Sequence, residues 1–298
     1  VRSLAARGVR EVTLLGQTVN AWGRHELRRS AARRGGGSGE AQGGGFAALL
    51  RRLAEIPGIE RLRYTSPHPL FFDAELIAAH GELGSLCPHV HLPLQSGSDA
   101  VLERMRRRYR RDDFLRIAEG LRAARPDIAI STDLIVGFPG ETERDFQDTL
   151  DLVRQVRFVD GYSFKYSARP GTAAAELVDP VAPERAQERL EELQALLRSL
   201  TLEAHRARVG ETTRVLVHGP SRRGGAQVSG RDPYHRVVNF EAPRNAASPG
   251  SLQPVHLVEA TPHSLIGELA NGATGVTNSV MPSARSADEL VRIGGVPG

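Results

Sequence analysis

The sequence predicts an α/β fold: a partial parallel (βα) barrel followed by a small all-β barrel. Three observations predict it. Up to residue 172, short apolar runs alternate with segments of helical spacing in five successive units, and each run ends in a polar or glycine-rich cluster. One long helical stretch, with Leu190, Leu193, Leu197 and Leu200 on one stripe, then closes this part. Beyond Gly210 the period drops to two, in short segments separated by Gly, Pro and Asn. A doubly wound open sheet is the competing architecture. The barrel is preferred because polar residues follow every strand, whereas an open sheet gathers its ligand at one switch point. The expected divisions are 1–208 for the partial barrel with its closing helix, 209–269 for the β-barrel and 270–298 for a disordered tail rich in Gly, Ala and Ser.

Taken in order, residues 1–6 read as the end of a helix and 11–15 as a strand running into Gly16, Gln17 and Asn20. Residues 24–45 are of low complexity, with five arginines and two glycine runs, and predict a flexible loop. A helix over 46–56 precedes a strand over 59–65, and a short helix carries Leu76 and Ile77. The strand at 89–94 ends in Gln95, Ser96, Gly97 and Ser98, whose serines suit the cap of a helix over 99–107. Phe114, Ile117, Leu121 and Ala124 define the next helix. The β-branched run 128–136 then predicts a buried parallel strand, turned sharply by Gly137, Pro139 and Gly140. Thr142 caps the following helix, which Phe146, Leu150 and Val153 bury on one face. A last strand near 161–166 leads to the helix over 183–209, and five short strands make the second barrel.

Composition narrows the chemistry. The chain has 298 residues, 40% of them hydrophobic, enough for about two domains with real cores. No run approaches the roughly 18 apolar residues of a membrane span and no signal peptide is visible, so no membrane partner and a cytoplasmic location are expected. Cys87 is the only cysteine, which excludes an intrachain disulfide or a multi-cysteine cluster site within these residues. The formal net charge is +4, and Lys165 is the only lysine. Arginine favours phosphate and planar stacking, which points to nucleic acid, although GC-rich coding produces the same bias.

Several residues stand out at the strand ends. Gln17 and Gln95 with Ser96, and the turn of Gly137, Pro139, Gly140 and Glu141, converge on one barrel mouth if the barrel reading holds. Asp133 lies in an apolar strand and needs a partner, either a ligand or an arginine. His89 and His91 share a strand face, but without carboxylates nearby in sequence they read as satisfied core groups, not as a metal site. Arg107 and Arg108 belong to a dense arginine run around Tyr109; part of it pairs with Asp112 and Asp113, and part is available for phosphate. No residue is assigned a catalytic role.

The segments 8–20, 91–98, 131–141 and 162–172 resemble the radical SAM methylthiotransferases, most closely the tRNA branch that makes 2-methylthio-N6-isopentenyladenosine. Ser229, Gly230, Arg231 and the run 236–240 resemble that family's RNA-binding, OB-like TRAM domain. Gly16 with Gln17, and Gln95 with Ser96 and Gly97, favour the tRNA branch over the one that modifies a ribosomal-protein aspartate. The resemblance implies a TIM-like radical SAM barrel and an S-adenosylmethionine pocket at Gln17, Asn20, Gln95, Ser96, Asp133, Gly137, Pro139, Gly140 and Glu141. It also implies tRNA contact through Arg107, Arg108, Arg231, Arg236 and Phe240, a reductant as second partner, and a monomer. Family members hold two 4Fe-4S clusters, one in a Cys-x3-Cys-x2-Cys loop placed just before the point where this chain starts and one in an N-terminal domain. Neither ligand set is in this sequence. The expectation is therefore a C-terminal fragment, inactive alone, whose interrupted barrel exposes strand edges and favours aggregation. The alternatives are a catalytically inert RNA-binding scaffold, or a methylthiotransferase for threonylcarbamoyladenosine tRNA or a ribosomal protein.

Overall fold

The computed structural model describes residues 1–24, 45–177, 179–221, 227–243, 247–270 and 291–292. The loop and tail expected at 24–45 and 270–298 fall almost wholly outside these.

Helix α1 (Arg2–Ala6) leads into strand β1 (Glu11–Leu15). The chain continues through α2 (Phe46–Ala54), β2 (Arg61–Tyr64), α3 (Ala74–Glu82), β3 (His89–His91), α4 (Asp99–Arg104), α5 (Arg111–Ala124), β4 (Ala129–Val136), α6 (Glu143–Val156) and β5 (Asp160–Lys165) to the long helix α7 (Pro183–Arg206). All pairings among β1 to β5 are parallel, in the orders β1-β2 and β3-β4-β5. Leu62 joins the two groups: its amide donates to Ser85 O (2.7 Å) and its carbonyl accepts from the Cys87 amide (3.0 Å). The result is a single curved five-strand wall, helices outside. On the edge of β1 expected to be open, β11 (Val291–Arg292) pairs in parallel.

Period-two alternation sorts the residues of this wall. Val12, Leu14, Leu62, Val90, Ile130, Leu134 and Val136 face the helices and join Phe114, Phe146, Leu150 and Leu193 in one core. The opposite face carries Glu11, Arg61, Arg63, His89, His91, Ser131, Asp133 and Tyr162, which is largely polar. Caps set the helix starts: Ser98 Oγ accepts from the Val101 amide, and Thr142 and Asp145 exchange side-chain-to-backbone bonds in a capping box. Gly97 is required where it stands. A Cβ there would lie 2.5 Å from Thr149 Cα and 2.6 Å from Asp148 O, inside the backbone of α6.

Strands β6 (Thr212–Pro220), β7 (Gln227–Arg231), β8 (Val237–Glu241), β9 (Leu252–Ala260) and β10 (Leu265–Leu269) close into a barrel with its own core of Val215, Val217, Val238, Phe240, Val255, Leu257 and Leu265. This barrel docks at the amino ends of the wall strands. Arg61 donates to Arg231 O (3.0 Å) and to Arg214 O, Arg63 to Asp232 O (2.8 Å), and Arg236 to Val159 O (2.9 Å). Tyr234 donates to Asp127 (2.7 Å), and the His235 ring stacks on His89 at 5.3 Å. Glu11 is the counter-charge for both Arg61 (3.3 Å) and Arg63 (3.0 Å).

His80, buried on α3, has Nε2 2.7 Å from the Tyr64 hydroxyl and no partner for Nδ1. Burial, with Arg125 nearby, depresses its pKa from the ordinary 6.5 to about 3. A base whose pKa falls on folding stabilises the fold above its unfolded pKa and loses that contribution as the pH drops towards its folded one. Between pH 7 and pH 5, His80 is expected to remove about 2 kcal/mol of stability. Urea titrations at the two pH values, with His80→Gln as control, measure this; an identical pH dependence in the control would refute it.

Candidate functional site

The carboxyl ends of the five wall strands form one rim, stitched loop to loop. The Val19 amide donates to Ser66 O (3.2 Å), and Asn20 exchanges two bonds with the His68 backbone (3.0 and 2.9 Å), tying the loops after β1 and β2. His68 meets the Tyr109 ring edge-on at 5.5 Å, and the Tyr109 hydroxyl donates to Leu94 O (3.0 Å) at the end of β3. Gln95, held at φ 71°, donates its amide to Asp133 O (2.8 Å) and accepts from the Ile135 amide (2.9 Å), which extends β3 along β4. The Tyr166 amide donates to Val136 O (2.8 Å), closing the series at β5. Such a rim is where α/β barrels bind ligands, because loops from separate strands project side chains over one opening.

The nine residues expected at the cofactor pocket divide by environment. Gln17 is exposed, Gln95 is buried on the β3–β4 seam, and Asp133 faces the polar interior with its side chain partly open. Asp133 pairs with His91, Nε2 to Oδ2 3.1 Å, so its partner is a histidine and not an arginine. His91 Nδ1 and His89 Nε2 each lie 3.0 Å from Ser131 Oγ. No metal-binding group of three or more His, Cys, Asp or Glu occurs among the described residues.

Of the other six, Asn20, Ser96 and Glu141 need correction, and Gly137, Pro139 and Gly140 form the turn itself. Asn20 is buried and spent on the His68 backbone. Ser96 is wholly buried with Oγ 3.3 Å from Thr149 Oγ1, so it packs against α6 behind the rim. Glu141 also turns outward: it accepts from the Gly137 amide (2.7 Å) and from Arg189 on α7 (2.9 Å), with only 1% of its side chain exposed. Burial raises its pKa above the usual value despite the arginine. Gly137, Pro139 and Gly140 offer backbone alone. At Gly140, φ is 75° and a Cβ would strike the Arg104 guanidinium, which donates to the Gly140 carbonyl. Glu141 and Arg189 therefore brace the turn from behind, and a ligand meets only its inner side.

The five residues expected to contact RNA also divide. Phe240 has no exposed surface and lies in the β-barrel core, so it cannot stack on a base. Arg236 is buried at the junction of the two barrels, engaged with Val159 O. Arg231 donates to His235 O (2.7 Å) and is half-buried. Arg108 is exposed beside an open cleft of about 320 Å³ that Leu70, Phe72, Tyr109 and Arg116 help to line. Arg107 is half-buried next to His68, and burial together with its charge lowers the His68 pKa. Sequence reasoning missed His91 and Tyr162 as groups facing the interior. The available signal was the shared alternation of 89–91 and 131–133 on adjacent strands.

The Radical SAM superfamily profile matches residues 1–153 and the TRAM domain profile residues 206–270. The chain belongs to the radical SAM superfamily. This radical SAM chain is 48% identical over 270 residues to the tRNA-2-methylthio-N(6)-dimethylallyladenosine synthase of Geobacter metallireducens, covering 91% of this chain and 57% of that protein. It is 45% identical over 299 residues to the protein of the same name from Acidothermus cellulolyticus, covering 99% of this chain and 56% of the relative. It thus spans little more than half the length of these relatives. Among solved structures, the coproporphyrinogen III oxidase of Escherichia coli aligns with a TM-score of 0.46 and 14% identity, over 78% of this chain and 69% of that one.

Membership of the superfamily implies S-adenosylmethionine and a 4Fe-4S cluster. The cluster does not fit the residues present, since iron needs several thiolates and Cys87, the one cysteine, is buried with its pKa pushed up to about 11 by burial. S-adenosylmethionine fits better: the rim offers a partly open carboxylate at Asp133 and the exposed Gln17 amide. No helix among the described residues is long and apolar enough to cross a membrane.

Proposed function

We propose that the protein is a tRNA methylthiotransferase that adds a methylthio group at C2 of N6-dimethylallyladenosine, the same base as N6-isopentenyladenosine, and that this chain supplies its S-adenosylmethionine-binding rim and its TRAM domain. The observation that carries this reading is 45–48% identity to synthases of that name across both barrels. S-adenosylmethionine, when bound, supplies the adenosyl group and the methyl group. Asp133 is the residue of this chain suited to accept hydrogen bonds from ribose hydroxyls or an ammonium, and His91 holds its carboxylate in place. Gln17 is suited to the polar edge of the adenine, Gln95 supports it from the β3–β4 seam, and the inner side of the turn at residues 137–141 is suited to backbone contact. The TRAM domain seals the amino end of the wall, so the substrate enters from the rim or from the open side at β5. A reductant, two clusters outside these residues, a monomeric state and a cytoplasmic location belong to the same proposal, as does the division of the chain near residue 208.

Mass spectrometry of tRNA nucleosides from a strain lacking the gene tests this reading. The 2-methylthio derivative should disappear while N6-dimethylallyladenosine accumulates. An unchanged level of the derivative, or loss of a methylthiolated threonylcarbamoyladenosine instead, defeats it.

A further inference from the structure

The interior face of the wall is polar except on one side. Glu11, Arg61, Arg63, His89, His91 and Ser131 line most of it, but β5 presents Tyr162 and Phe164, which are 57% and 53% exposed. They occupy alternate positions and share a face, and their register partners on β4 are Asp133 and Ile135 respectively. The four side chains make two rows, Asp133 beside Tyr162 and Ile135 beside Phe164, one polar and one apolar. His91 contacts the Tyr162 ring at 6.1 Å and 63°, which orients the polar row. Strand β5 has no partner on its outer edge among the described residues, so both rings can be reached from the side as well as from the rim. Large aromatic groups left more than half exposed side by side mark a binding surface.

We propose that Tyr162, Phe164 and Ile135 form the subsite that reads the N6 substituent of the target purine. The inference rests on the function proposed above and names its specificity element. The branched hydrocarbon of N6-dimethylallyladenine matches Ile135 and Phe164, and the exposed Tyr162 hydroxyl can accept from the one hydrogen left on N6. A threonylcarbamoyl group would instead bring a carboxylate against the hydrocarbon and rings of Ile135, Tyr162 and Phe164, none of which is a cation that could pair with it. Aromatic faces also stack on bases, which favours an unpaired purine over a duplex.

The test compares two short RNA hairpins that differ only in carrying N6-dimethylallyladenosine or adenosine at one loop position, titrated into the 298-residue chain by fluorescence anisotropy. Burial of the hydrocarbon predicts about tenfold tighter binding of the modified hairpin. Phe164→Ser should bring that ratio to within about twofold of unity, whereas Phe164→Leu, which keeps hydrocarbon in place, should retain most of it. Equal affinities in the unsubstituted chain, a ratio unchanged in Phe164→Ser, or a ratio lost as fully in Phe164→Leu as in Phe164→Ser each overturn the subsite while leaving the tRNA reading intact. Failure of the unsubstituted chain to bind either hairpin overturns both.

Discussion

Replacing Asp232 with alanine is expected to destabilise the docking of the TRAM domain by about 3–5 kcal/mol, the cost of removing one partner of a buried ion pair. Asp232 has no exposed surface. Its carboxylate accepts from the Arg236 amide (2.8 Å) and from the Arg208 guanidinium, and its carbonyl accepts from Arg63 on the wall (2.8 Å). Without the carboxylate, Arg208 keeps only the exposed Glu211 (2.9 Å) as an ionic partner. Arg236, whose pKa burial already lowers, loses the strongest of the charges that favour its ionised form. Two guanidinium groups at one junction would then lose their main counter-charge. Hydrogen exchange should show lost protection at the start of β2 and in β7 while the barrel core around Phe240 stays protected. Asp232→Asn keeps an acceptor for the Arg236 amide and should lose less. Unaltered exchange at the junction in Asp232→Ala would show that the contact adds nothing.

Arg189→Leu is expected to cost a similar amount, about 3–5 kcal/mol, by leaving Glu141 buried without its cation. Arg189 Nη1 donates to both the carbonyl (3.0 Å) and the carboxylate (2.9 Å) of Glu141, and its guanidinium lies over the Phe146 ring at 5.5 Å. The pH dependence identifies the mechanism. Burial already raises the Glu141 pKa, and removing Arg189 raises it further, so the folded state holds this proton more tightly than the unfolded chain does. For an acid shifted upward, stability is fully present below the unfolded pKa, near 4.5, and falls as the pH rises through the folded pKa. The deficit of Arg189→Leu should therefore be large at pH 7 and small at about pH 4. Denaturant titrations at both values check this, and a deficit independent of pH would mean that lost packing on Phe146 dominates.

Most elements of the fold were legible because their signals are local. The strand at 129–136, the capping box at Thr142 and the leucine stripe of the closing helix all depend on residues within a few positions of each other. The rim was legible too, since every unit ends in polar residues and a barrel has one mouth. Which way each of those side chains points was not. Ser96 and Glu141 lie in motifs at that mouth, yet both face the helices, because a sharp turn rotates successive side chains to opposite sides and Thr149 and Arg189 wait on the outer one. Phe240 and Arg236 were misread for a related reason: an aromatic or a guanidinium suits RNA and a protein interior equally well, and only burial separates the two.

By itself, the sequence determined the periodicities, the caps and turns, the single cysteine and the two-barrel order, all properties of neighbours along the chain. Tertiary structure decided the pairing of His91 with Asp133, the sealing of the wall by Asp232 and His235, and the exposure of Tyr162 and Phe164 beside an edge with no strand partner among the described residues. Each of these joins residues from different strands or different domains, and no local pattern encodes which of them meet, because the meeting depends on how the strands register and how the second barrel docks.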